Sequence, residues 1–160
     1  MKNTLFLLAA IPLLLFASCS SHSDDKDGDK PSGGTATVAV TYTIGQGFSE
    51  AAYTNTELVF TYDDSNGKSV TVTTAIPYTL VVKYPYVKVS HPFSGYLQFK
   101  SGQPKSINGW IGRYYSTKFI SPNGGQFENG IESFDWVYTL TDEELKQKSS
   151  FSSSVTLGEE

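Results

Sequence analysis

From residue 35 onward the chain alternates apolar and polar side chains. Ala36, Val38, Val40, Tyr42 and Ile44 take one parity, and Thr35, Thr37, Ala39, Thr41 and Thr43 take the other. A period of two sustained over ten residues predicts a half-buried β-strand. Leu58, Phe60 and Tyr62 repeat the pattern, and so do Val70, Val72 and Thr74, with Asp-Asp-Ser-Asn-Gly-Lys between the two runs. A two-residue Asn66-Gly67 turn would pair Tyr62 with Thr71, setting the apolar face of one strand against the polar face of the other. A three-residue loop, Ser65-Asn66-Gly67, pairs Tyr62 with Val70 and Phe60 with Val72, so that both apolar faces agree. The pattern therefore predicts a type I turn that starts at Asp64 and ends with Gly67 in the left-handed region.

Further strands are predicted at Tyr78–Tyr84, at Tyr96–Lys100 with Leu97 and Phe99 inward, at Trp110–Phe119, over Phe134, Trp136, Tyr138 and Leu140, and at Phe151–Leu157. Pro85 interrupts one run, so 86–90 reads as an edge or a bulged continuation. Asn-Gly pairs at 108, 123 and 129 read as turns. Thr141-Asp142-Glu143-Glu144 has capping-box spacing and predicts one short helix over 141–148. Eight or so short strands separated by turn signals predict an all-β fold, an antiparallel immunoglobulin-like β-sandwich with one short helix. The richness in aromatics, 10 Tyr, 10 Phe and 2 Trp, agrees with strand rather than helix composition.

Before residue 35 the texture is different. Lys2 precedes an apolar run from Leu5 to Phe16 that is too short for a permanent span, and the small Ala17 and Ser18 stand before Cys19, the sole cysteine. This is the layout of a cleavable signal peptide, residues 1–18. Phe16-Ala17-Ser18-Cys19 resembles a lipobox, with Phe16 where Leu is usual. That resemblance implies that Cys19 becomes the first mature residue and carries diacylglycerol, a membrane partner through lipid. A polar Gly/Ser-rich tether over 19–34 carries Asp24, Asp25, Asp27 and Asp29, and the folded domain is expected over 35–160. The acidic cluster resembles the export signal of surface lipoproteins in the Bacteroidota, which implies an outer-membrane, surface-exposed location. Val-Thr-Tyr-Thr-Ile at 40–44, the hairpin at 58–73 and Ser-Gly-Tyr-Leu-Gln-Phe-Lys-Ser-Gly at 94–102 resemble small immunoglobulin-like lipoproteins of the same group. The resemblance covers about half the chain and implies architecture and location rather than an activity.

Charge and motifs narrow the chemistry. With 12 Lys+Arg against 16 Asp+Glu and no basic patch, nothing points to nucleic acid. His22 and His91 lack the neighbours of a metal set, so no metal or cofactor is expected, and His91 reads as a polar residue at a strand end. Gly45-Gln46-Gly47 fails the dinucleotide fingerprint, and no G-x-S-x-G is present. Asp63 and Asp64 are explained by the hairpin, and Glu132 and Asp135 are the other carboxylates weighed as a hydrolytic pair. No enzyme is expected. The candidate ligand-binding segment is 108–115, where Trp110, Arg113, Tyr114 and Tyr115 combine ring faces that stack on sugars with a hydrogen-bond donor. Strict alternation puts Trp110 and Tyr114 on one face and Ile111, Arg113 and Tyr115 on the other. The competing assignment places Trp110 in the core beside Trp136. The function expected is that of a non-enzymatic surface lipoprotein binding a glycan or a host or other protein ligand. The alternative is a structural adhesion or assembly subunit that pairs through strand edges. Metabolic labelling with a fatty-acid probe tests the anchor: wild type should be marked and Cys19→Ala should not.

Overall fold

The computed structural model describes residues 35–158, apart from the side chains of 108–113 and 132–138; the leader, Cys19 and the acidic tether lie outside the described residues. Two four-stranded antiparallel sheets face each other. One has the order β4-β1-β6-β7, from Tyr78–Pro85, Thr37–Gln46, Ser106–Ile120 and Gln126–Thr139. The other has the order β3-β2-β5-β8, from Ser69–Thr74, Thr56–Asp63, Val89–Phe99 and Phe151–Leu157. The all-β antiparallel sandwich expected from alternation is the fold observed. Its strand order differs from that of an immunoglobulin constant domain: β1 stands between β4 and β6, whereas the first two strands of that domain are neighbours.

Alternation becomes a core because each sheet offers one apolar face to the other. Val38, Val40, Tyr42 and Ile44 of β1 are buried against Leu58 and Phe60 of β2 and Phe93 and Leu97 of β5. Aromatic rings fill the middle in tilted and edge-on contacts, with Tyr42 5.7 Å from Phe60 and 5.2 Å from Phe93. One hydroxyl chain crosses between the sheets. Tyr84 donates to the Asp63 carbonyl of β2, and the Tyr42 and Tyr84 hydroxyls lie 3.1 Å apart. A phenol has one proton, so Tyr42 must be the donor in the second bond.

The β2–β3 hairpin has the predicted register, Tyr62 opposite Val70 and Phe60 opposite Val72. Its loop is Ser65-Asn66-Gly67. The Gly67 N–H donates to the Asp64 carbonyl at 2.9 Å, and the Asp64 carboxylate accepts from the N–H groups of Asn66 and Lys68. Those backbone donors hold the Asp64 carboxyl below its ordinary range, first that of Lys68, then that of Asn66.

Two helices are present where one was expected. α2, Asp142–Ser149, has the predicted capping box, with Thr141 and Glu144 exchanging hydrogen bonds. α1, Glu50–Asn55, is too short to show a period. Its cap is Ser49, and Phe48 before the cap packs on Tyr53 at 6.1 Å as a hydrophobic staple. The strand after Pro85 also differs from expectation. Residues 86–88 turn the chain into the other sheet, and β5 begins at Val89, well before Tyr96.

Gly67 has φ +73°, and a Cβ there would meet nothing within 4 Å, so only the backbone angle demands glycine. Gly67→Val should lower the stability of the protein by about 1 kcal/mol or more, and Gly67→Asn by less, because Asn tolerates the left-handed region. Urea denaturation midpoints check the order.

Candidate functional site

The predicted segment 108–115 lies on β6, and the structure divides it. Trp110 and Arg113 pair through the backbone with Asp135 and Glu132 of β7; their side chains, like that of Trp136, lie outside the described residues. Tyr114 and Tyr115 are both buried, at 0% and 5% exposure, so neither ring is an open stacking platform. This corrects their assignment as ligand contacts. The cause is a β-bulge. The register with β7 shifts between Arg113 and Tyr115, so the alternation assumed for the segment breaks there and consecutive tyrosines both enter the core. Tyr114 stacks on Phe48 at 5.9 Å, meets Phe151 edge-on at 5.0 Å, and donates its hydroxyl to the Ser149 carbonyl at the end of α2. It ties both helices to the sheet. Burial pushes its phenol above the ordinary range, which keeps it neutral and donating.

His91 also departs from expectation. It is the third residue of β5, buried opposite Val155, and its ring stacks on Tyr84 at a centroid distance of 3.9 Å. Its Nε2 has no hydrogen-bond partner among the described residues. Loss of water lowers its proton affinity, and nearby Asp63 opposes this only in part.

The surface with ligand-binding shape is elsewhere, around the β6–β7 hairpin of the β4-β1-β6-β7 sheet. Sequence patterning assigns 121–130 to a loop. The turn occupies only 121–125, and Gln126–Gly130 opens β7. Ser121-Pro122-Asn123-Gly124 builds the same loop as Asp64-Ser65-Asn66-Gly67: the Gly124 N–H donates to the Ser121 carbonyl at 2.9 Å, and Gly124 has φ +87°. That parallel in sequence was the available signal. The hairpin frames a groove of about 630 Å³ lined by Ala39, Thr41, Lys118, Phe119, Ile120, Gln126, Phe127 and Glu128.

Register explains the layout. Thr41 lies opposite Lys118, and Lys118 opposite Glu128, with which it forms a 3.1 Å ion pair. Phe119 lies opposite Phe127, and their rings stack at 4.6 Å and 7°. Phe127 is 55% exposed and Ile120 61%. The same phenylalanine pair lines a second hollow of about 250 Å³ beside Ser154, Val155 and Thr156 of β8, so the rings form a wall between the two. By register the two rings take the core-facing parity of the ribbon and Ala39, Thr41, Lys118, Gln126 and Glu128 the other, so the hairpin presents aromatic and polar groups from its two faces. Small-ligand sites combine these elements. Among the described residues no group of three His, Cys, Asp or Glu is placed to hold a metal ion.

Fold and groove together define an antiparallel β-sandwich with a hollow of mixed polarity at one hairpin. Compared with known proteins, the chain matches no family model, no curated protein and no solved structure.

The buried His91 carries a pH prediction. Its folded-state proton affinity is depressed, so below about pH 6.5, the ordinary histidine value, the unfolded chain binds more protons than the folded one. Stability should therefore fall as pH drops through that value, and level off once pH is below the folded-state value. His91→Phe keeps a ring against Tyr84 and should flatten this part of the profile, measured as urea midpoints between about pH 7 and pH 5.

Proposed function

We propose that this protein is a non-enzymatic lipoprotein of the outer membrane, anchored through Cys19 and exposed at the cell surface, whose sandwich domain binds a glycan in the groove beside Phe127. The observation that carries this reading is the pairing of a half-exposed aromatic face with polar side chains on one rigid sheet. Sugar rings present C–H faces that stack on aromatic rings and hydroxyls that bond to groups such as Thr41, Gln126 and Glu128. Among the described residues that line the groove Glu128 is the one carboxylate, and it is tied to Lys118, which supports binding rather than two-carboxylate hydrolysis. Resemblance to small Bacteroidota lipoproteins and the acidic cluster after Cys19 support the location.

A second reading has its own observation. β7 is an edge strand of 14 residues and exposes Phe127 and Ile131, at 55% and 42%, which suits an added strand from a protein ligand or assembly partner.

A glycan array probed with the purified protein separates the two. Saccharide binding should weaken about five- to tenfold in Phe127→Ala, the loss expected from uncovering part of one aromatic face. The melting temperature should change little. Absence of saccharide binding, together with capture of an extended peptide along β7, would replace the first reading with the second.

A further inference from the structure

The described chain enters the sandwich beside the turn that joins β4 to β5. Thr37 pairs with Pro85, and the Tyr86 N–H donates to the Ala36 carbonyl at 2.6 Å. The C-terminal strand closes on the same place, with Leu157 opposite Val89. The turn is itself hydrogen-bonded: the Val87 N–H reaches the Pro85 carbonyl at 3.0 Å, and the Val89 N–H reaches that of Val87 at 2.7 Å. A tightly built turn thus holds Val87 and Val89 outward, at 42% and 46% exposure, with Lys88 between them and Lys83 exposed on the adjoining strand.

One exposed valine is ordinary on a protein surface. Two on a fixed turn, with Lys83 exposed on the strand that leads into it, form a small amphiphile. Its position restricts what it meets. Sixteen residue-to-residue steps, 35 − 19, lead from Cys19 to Thr35, a covalent reach of at most about 55 Å. The lipid-bearing arm joins the domain at this end. We propose that the Val87-Lys88-Val89 turn rests on the membrane, its valines at the headgroup boundary and Lys83 against anionic lipid. Lysines near such a surface are attracted to it, and shallow apolar side chains add to the contact. The inference rests on the anchoring reading of Cys19. It makes the turn a second, weak attachment that orients the sandwich on its tether.

The test supplies the anchor chemically, so that it does not depend on acylation in the cell. The full chain is coupled through Cys19, its sole thiol, to a maleimide lipid in vesicles of phosphatidylethanolamine and phosphatidylglycerol. A benzophenone amino acid is placed at position 87, in a second protein at 89, and in a control at Gln103. Gln103 is exposed beyond the far end of β5, about 33 Å along that strand from Val89. Irradiation should give at least tenfold more lipid adduct at 87 and 89 than at 103. Lys83→Glu should lower the yield at 89 roughly fivefold. Equal yields at all three positions would overturn the proposal. Failure of the fatty-acid probe to mark Cys19 in cells would instead overturn the anchor reading, and the vesicle result would stand on its own.

Discussion

The chain of hydroxyls from Tyr42 through Tyr84 to the Asp63 carbonyl is the constraint around which the sandwich is arranged. Two phenols in an apolar interior must each find a partner, because a buried polar group without one costs about 1–3 kcal/mol. Here they satisfy one another and then reach across to the other sheet. Burial raises the proton affinity of both phenolates, so both stay protonated. The link sets the spacing of β1 and β4 against the end of β2. Asp63 is thereby placed, and Asp64, the residue after it, starts the hairpin turn. The opposite face of the Tyr84 ring is taken by His91 of β5. One tyrosine thus joins four strands from both sheets.

Much of this was legible because β-structure writes its register into side-chain parity. The pairing of Tyr62 with Val70 followed from which loop length lets two apolar faces agree, and the capping box at Thr141 followed from side-chain reach. Parity carries no information at a bulge. At Tyr114 neighbours share a face, and alternation alone gives no sign of it. The Asn-Gly pairs at 108 and 129 look like turns, yet both lie inside strands. Gly130 is needed for its lack of a side chain instead. A Cβ there would sit 2.5 Å from the Tyr115 carbonyl oxygen, so the bulge requires glycine opposite it. His91 was misplaced because Pro92 follows it, and proline reads as a strand break. Pro92 sits within β5 and still pairs with Ser154.

The same bulge explains why the candidate site moved. Of two large rings directed inward, Tyr114 ties α1 and α2 to the sheet and Tyr115 packs on Phe93 and Phe151, which makes the half of β6 that holds 114–115 structural. The remainder of the β6–β7 ribbon extends beyond the cover of the other sheet, and Phe127 and Ile131 are left partly open although their cross-strand partners Phe119 and Tyr115 are buried. Composition favours the segment with the most aromatic residues. In a sandwich that segment is where the core is densest, and the usable aromatic face is the one the core could not reach.

The place of β1 has a mechanical consequence. Ala39 and Thr41, the third and fifth residues of β1, form one wall of the groove, and the chain enters β1 at Thr37. A tug on anything seated there would travel to the N-terminal arm through a few residues of a single strand. That strand is flanked by antiparallel neighbours on both sides, β4 and β6, so force along its axis loads both ladders of hydrogen bonds together in shear rather than opening them one at a time. Both helices and most of the second sheet lie off this line of force. Load applied to β1 at its first residues would thus be shared by two strands at once.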